Sequence, residues 1–131
     1  MRKEIDKDGT TRYYNENNKL HKEDGPAVEF ESGHKYWYKN GELHREDGPA
    51  VEYPDSQKHW YKNGKLHRED GPAVEYANGE KRWCKNGLLH RENGPAIEFN
   101  GNKYYYYNNI WYPQIKIDKE WKRFVKLMVF Q

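Results

Sequence analysis

A unit of 23 residues, written four times in strict register, constrains this chain more than any other feature. His21, His44, His67 and His90 fall 23 apart, as do Gly25, Gly48, Gly71 and Gly94, and the run Asn40 to Tyr53 returns at Asn63 to Tyr76 almost unchanged. A fixed period of this length marks a stack of supersecondary units that bury their faces against one another rather than in a globular core. The copies leave only short ends of the 131 residues, so a second folded domain does not fit. The repeat array is expected over 1–112, with degenerate copies at Tyr13-Tyr14-Asn15 and from Asn109-Ile110-Trp111-Tyr112 to Pro113, and a capping segment over 113–131.

Hydrophobic and charged residues each make up 34% and aromatic ones 16%, a mixture too polar for a thick core and too aromatic for disorder. A thin sheet resolves the conflict, because Trp and Tyr bury their rings against it while their polar tips reach water. Cys84 is the single cysteine, which excludes an internal disulfide and points to a reducing compartment. The formal net charge of +2 is no strong electrostatic address. The start lacks an apolar signal core, and no stretch approaches the roughly 20 apolar residues of a spanning helix. The reading is a cytoplasmic protein with no membrane partner.

Each unit reads as two short strands joined by two kinds of hairpin turn. Asn40-Gly41, Asn63-Gly64 and Asn86-Gly87 join runs such as Arg82-Trp83-Cys84-Lys85 and Leu88-Leu89-His90, the strongest short-range hairpin signal. A second turn lies at Glu31-Ser32-Gly33, Pro54-Asp55-Ser56-Gln57, Ala77-Asn78-Gly79-Glu80 and Asn100-Gly101-Asn102. Pairing across Asn78-Gly79 predicts Val74 opposite Trp83 and Tyr76 opposite Lys81 on one face, with Glu75 opposite Arg82 on the other. Val28/Trp37, Val51/Trp60 and Ile97/Tyr106 then extend a structural aromatic ladder. After Asp118, read as an N-cap, Trp121, Phe124, Val125 and Met128 follow a helical period, predicting an amphipathic helix that covers the last open strand. The fold class is therefore all-β: an elongated single-sheet antiparallel hairpin solenoid with a C-terminal helical cap.

The run Leu43-His44-Arg45-Glu46-Asp47-Gly48-Pro49-Ala50, with its copies from Leu66 and, carrying Asn93, from Leu89, resembles the Leu-His-Arg-x-Asp-Gly-Pro-Ala repeats of tailed-phage and giant-virus proteins. The Asn-Gly-x-x-His element also resembles MORN repeats, hairpin modules that stack into elongated sheets, although Arg45-Glu46-Asp47 intervene where the MORN pattern places glycine. Small phage proteins of this size are often accessory factors that disable host defences. The resemblance implies an inhibitor of a host protein acting in the host cytoplasm, anti-CRISPR-like or otherwise anti-defence.

The residues themselves argue against catalysis. Four histidines, each followed closely by Glu and Asp, offer metal-ligand chemistry, but equivalent positions on a ladder stand about 9 to 10 Å apart, too far to share one ion. They are read as structural, bonded to turn backbone, with no metal or cofactor. Cys84 takes a column held by Tyr38, Tyr61 and Tyr107 and reads as a packing substitute rather than a nucleophile. Nucleic acid is the alternative partner, since Lys35, Lys58 and Lys81 and also Lys39, Lys62 and Lys85 form basic ladders, but Glu29, Glu52, Glu75 and Glu98 form equally regular acidic ones. A host protein is the favoured partner. Columns that stacking requires stay constant between copies, while those free to read a partner vary. One column varies sharply, as Tyr13, Tyr36, His59, Arg82 and Tyr105. Tyr36, His59, Arg82 and Tyr105 are the predicted partner-binding residues, in a composition suited to interface hot spots.

Overall fold

The computed structural model describes residues 1–130; Gln131, the last residue of the predicted capping segment, lies outside the described residues. The described residues form 18 short strands in antiparallel pairs and one helix, Asp118–Val129. The first hairpin of every unit adds to one ten-stranded sheet whose strands follow chain order, from Arg2–Ile5 at one edge to Asn102–Tyr104 at the other. The second hairpin leaves that sheet and forms its own two-stranded ladder, such as Tyr61–Lys62 with Lys65–Leu66. An all-β hairpin array closed by one helix is thus the architecture, with the second hairpins set beside the single sheet rather than within it.

The two kinds of hairpin close differently. At Asn63-Gly64 both central residues have positive φ (50° and 78°), the two-residue turn that the Asn-Gly signal predicts, and Lys62 pairs with Lys65. The first hairpins close instead through three residues, of which only the last has positive φ: Gly33, Ser56 and Gly79 at 101°, 77° and 94°. Tyr76 N–H then donates to the Glu80 carbonyl at 2.9 Å, and Val74 faces Arg82 while Glu75 faces Lys81. This corrects the predicted register by one residue. Because side chains alternate along a strand, a one-residue slip exchanges the faces. Val74 therefore lies opposite Arg82 and not Trp83, and Val51 opposite both Tyr36 and His59.

The tryptophans form a separate system on the far side of the strand from the valines. The Arg45 guanidinium lies 3.9 Å from the Trp37 ring centroid, Arg68 lies 3.8 Å from Trp60, Arg91 lies 3.9 Å from Trp83, and at the first copy Lys22 Nζ lies 4.1 Å from Tyr13. Arg68 also donates to the Pro72 carbonyl at 3.1 Å and reaches Glu75. A Cβ at Gly71 would stand 2.9 Å from Arg68 Cζ, so glycine leaves the space in which the guanidinium lies. Ala27, Ala50, Ala73 and Ala96 are fully buried and admit nothing larger without repacking. His44 joins consecutive units: its Nδ1 accepts the Asn63 backbone N–H at 3.0 Å, and its Nε2 meets Glu46 at 2.6 Å. His21 and His67 make the same pair of contacts, while His90 Nδ1 accepts from Asn108. The His, Arg, Gly and Ala of the repeat signature thereby each have a structural role.

The last copy is shorter by one. Asn100 and Gly101 form a true two-residue turn, with φ of 50° and 79°, so Phe99 pairs with Asn102 and Ile97 with Tyr104. Tyr105 consequently occupies the Trp column and Tyr106, not Tyr107, the column of Cys84, while the predicted Ile97/Tyr106 pair does not form. The helix closes the stack through side chains. Trp121 is fully buried, packs 5.5 Å from the Tyr105 ring and donates from Nε1 to the Arg91 carbonyl at 2.7 Å. Asp118 is not the N-cap: Ile117 holds that position, and Asp118 accepts the Tyr105 hydroxyl at 2.6 Å. The edge strand Asn102–Tyr104 itself remains exposed. The charged strand Arg2–Ile5 at the opposite edge is also exposed, and its charges discourage pairing with another chain.

Candidate functional site

On the valine side, half-buried rings run without a break across three units. Tyr36 meets Phe30 at 5.4 Å, Phe30 meets His34 at 6.2 Å, and His34 meets Tyr53 of the next unit at 4.9 Å. Tyr53 lies 5.5 Å from His59, which lies 6.1 Å from Tyr76, and the Arg82 guanidinium stands 5.4 Å from the Tyr76 ring. The strip rests on Val28, Val51 and Val74, which are 2 to 5% exposed, while the Arg82 side chain keeps 39% of its surface open. Strand pairing puts each variable residue between two apolar ones, as Arg82 between Val74 and Ile97.

Three predicted site residues therefore share one face: Tyr36, His59 and Arg82. Tyr105 does not. It is fully buried beneath the helix, and burial together with the bond to Asp118 holds its hydroxyl far above the usual tyrosine range. Tyr104 takes its place, opposite Ile97 and exposed. At the other end Tyr13 belongs to the Trp column under Lys22, and Arg12, opposite Val28, is the strip residue. The corrected column is Arg12, Tyr36, His59, Arg82 and Tyr104.

A second variable column was missed. His34, Gln57 and Glu80 lie two residues before the strip and so on the same face. Gln57 Oε1 is 2.8 Å from His59 Nε2, and Glu80 binds the Arg82 guanidinium. The unit that varies is thus a doublet, His34/Tyr36, Gln57/His59 and Glu80/Arg82. The signal was present in the sequence as a second unlike column at strand spacing.

The charges on the other face of the ten-stranded sheet are interleaved from Glu29 to Lys103. Glu29, Lys35, Glu52, Lys58, Glu75, Lys81, Glu98 and Lys103 face one another in turn across the sheet. Each lysine of that ladder has a glutamate neighbour on the adjoining strand, unlike a phosphate-tracking groove. On the Trp side, three grooves of about 570, 630 and 540 Å³ recur in register between successive Glu-Asp-Gly-Pro bends. Their lining repeats the same Trp, His and Arg from unit to unit, so they carry little to distinguish one position from another.

Burial holds His59 below the ordinary histidine range, and burial also lowers His90, with Lys85 acting in the same direction against Glu92. Where a folded-state value is depressed, the unfolded chain binds more protons, so stability rises with pH across that interval. The contribution is complete above the unfolded value near 6.5 and is lost as pH falls through the folded values. Melting temperature is expected to hold steady from about pH 7 to 8 and to fall through pH 6 and 5, and His59→Gln is expected to shallow that fall. Thermal melts across the range measure it; a profile identical in His59→Gln would contradict the assignment.

Burial likewise pushes the Cys84 thiol up to about 11, which leaves it unreactive at neutral pH. No protein-family model matches the chain, and neither a curated protein nor a solved structure matches it at a significant level.

Proposed function

We propose that this chain is a non-enzymatic binding module that engages a protein partner through the valine-side strip. One observation carries the reading: seven side chains form a continuous surface across three units in which the frame is constant and the paired doublets differ at every step. Tyr and Arg on an apolar floor are residue types enriched at interface hot spots. The non-enzymatic part of the reading is supported by the engagement of the groups that could do chemistry: both ring nitrogens of His21, His44 and His67 are bonded, and Cys84 is buried. The resemblance to phage repeat proteins extends the proposal to a host defence protein as partner, in the host cytoplasm. No helix among the described residues is long and apolar enough to cross a membrane.

Affinity capture from host lysate, followed by quantified binding of the captured protein, tests the proposal. Arg82→Ala is expected to weaken binding by about 2 kcal/mol while moving stability by less than about 1 kcal/mol, because its pair with Glu80 is partly exposed. Arg82→Glu would add repulsion from Glu80, so the alanine variant is the decisive one. Raising salt should weaken the complex only modestly. A steep linear fall of log affinity with log salt would instead mark a phosphate-bearing partner and favour nucleic acid.

A further inference from the structure

The C-terminal end departs from the rest of the molecule in both charge and surface. Of the 23 Lys and Arg residues, six lie from Asn102 onward, against two of the 21 Asp and Glu, so the excess of positive charge resides there and the preceding array is slightly acidic. Seven of the ten large hydrophobic residues left exposed among the described residues also lie from Tyr104 onward. The helix turns Trp121 and Val125 inward, and Phe124 and Met128 pack beside them. Lys119, Lys122, Arg123 and Lys126 remain exposed, and the last turn ends in Leu127, Val129 and Phe130 at 62, 53 and 87% exposure. Tyr112 Oη lies 3.8 Å from Met128 Sδ and ties the helix to the last hairpin, whereas the neighbouring Trp111 faces the other way and packs 6.4 Å from Tyr104.

We propose that this end docks on an anionic lipid surface, with the basic side chains against the headgroups and Leu127 and Phe130 entering the interface. Charge complementarity selects the anionic surface, since the array behind it is slightly acidic and would be held away. The apolar residues select lipid over a folded acidic partner, because they project from a helix end, and Phe and Leu beside Lys and Arg are the mixture that inserts at a membrane interface. The twelve-residue helix is too short to cross a bilayer and long enough to lie against one. The balanced charges of the repeats argue against a membrane partner for the array, and the imbalance is confined to this end. The valine-side strip takes no part, so this proposal and the protein-binding one stand or fall separately.

Co-sedimentation of the full chain with vesicles of phosphatidylcholine alone, and with about 30% phosphatidylserine added, tests the proposal. Binding is expected to the anionic vesicles only. Arg123→Glu/Lys126→Glu and, separately, Leu127→Ser/Phe130→Ser are each expected to lower it by about tenfold or more, with unchanged melting because all four side chains are exposed. Failure of the wild-type chain to bind anionic vesicles overturns the proposal, as does full binding by the Leu127→Ser/Phe130→Ser variant, which would reduce the effect to diffuse charge attraction. Binding to polyglutamate or DNA but not to vesicles would overturn it in favour of a macromolecular polyanion.

Discussion

Trp121→Ala is expected to cost about 3 to 5 kcal/mol, the range for large aromatic side chains removed from a core. The ring is fully buried between Tyr105, Tyr112 and Phe124, with centroids 5.5, 5.5 and 5.8 Å away. Its Nε1–H also satisfies the Arg91 carbonyl, which the substitution would leave without that donor. The position matters as much as the burial. Tyr105 stands in the column that elsewhere lies beneath an arginine, and Trp121 supplies the cover that a following repeat would have provided. Its loss should therefore release the last unit first. Denaturant melts combined with amide exchange over residues 104–112 would show this; a cost below about 1 kcal/mol, with protection unchanged there, would mean that the helix is not the cap.

Trp60→Ala is the second large effect, expected at about 2 to 3 kcal/mol, less than for a fully buried ring because Trp60 is only half-buried. Most of its worth lies in the stack under Arg68 at 3.8 Å, so Trp60→Ala and Arg68→Ala should not add: a double-mutant cycle should give a coupling on the order of 1 kcal/mol. Tyr13→Ala, under Lys22 in the half-formed first unit, should cost about 1 kcal/mol by the weaker cation–π contact. Zero coupling between Trp60 and Arg68 in urea melts would contradict the stacking role.

The second hairpins could be read from sequence because Asn-Gly requires no context: both residues adopt positive φ readily, and the register follows. The first hairpins could not be read by the same rule, although Asn78-Gly79 is the same dipeptide. Pro54 held the clue. It aligns with Ala77, which would flank a two-residue turn at Asn78-Gly79, and proline has no N–H for the hydrogen-bonded pair that closes such a turn, so a three-residue loop with Ser56 in the left-handed region was the consistent solution. Missing it displaced the tryptophans onto the valine face. The ends were harder. Nothing after Gly94 repeats the His and Gly markers, and in Tyr104-Tyr105-Tyr106-Tyr107 every register offers a tyrosine, so the shortened last turn left no mark in the pattern. The histidine contacts to turn backbone were legible from their even spacing, whereas the arginine stacks and the doublets needed coordinates, because they join residues that the corrected register brings together.

The central claim, that the valine-side strip meets the partner, is tested most directly by photo-crosslinking from fixed points on the two sides of the sheet. A photoreactive aromatic residue at Tyr36, half-buried within the strip, and another at Lys62, exposed beside the grooves, would be irradiated in turn with the captured partner. Covalent capture from position 36 and not from position 62 is the predicted result; capture from position 62 alone would place recognition on the Trp side and contradict the account.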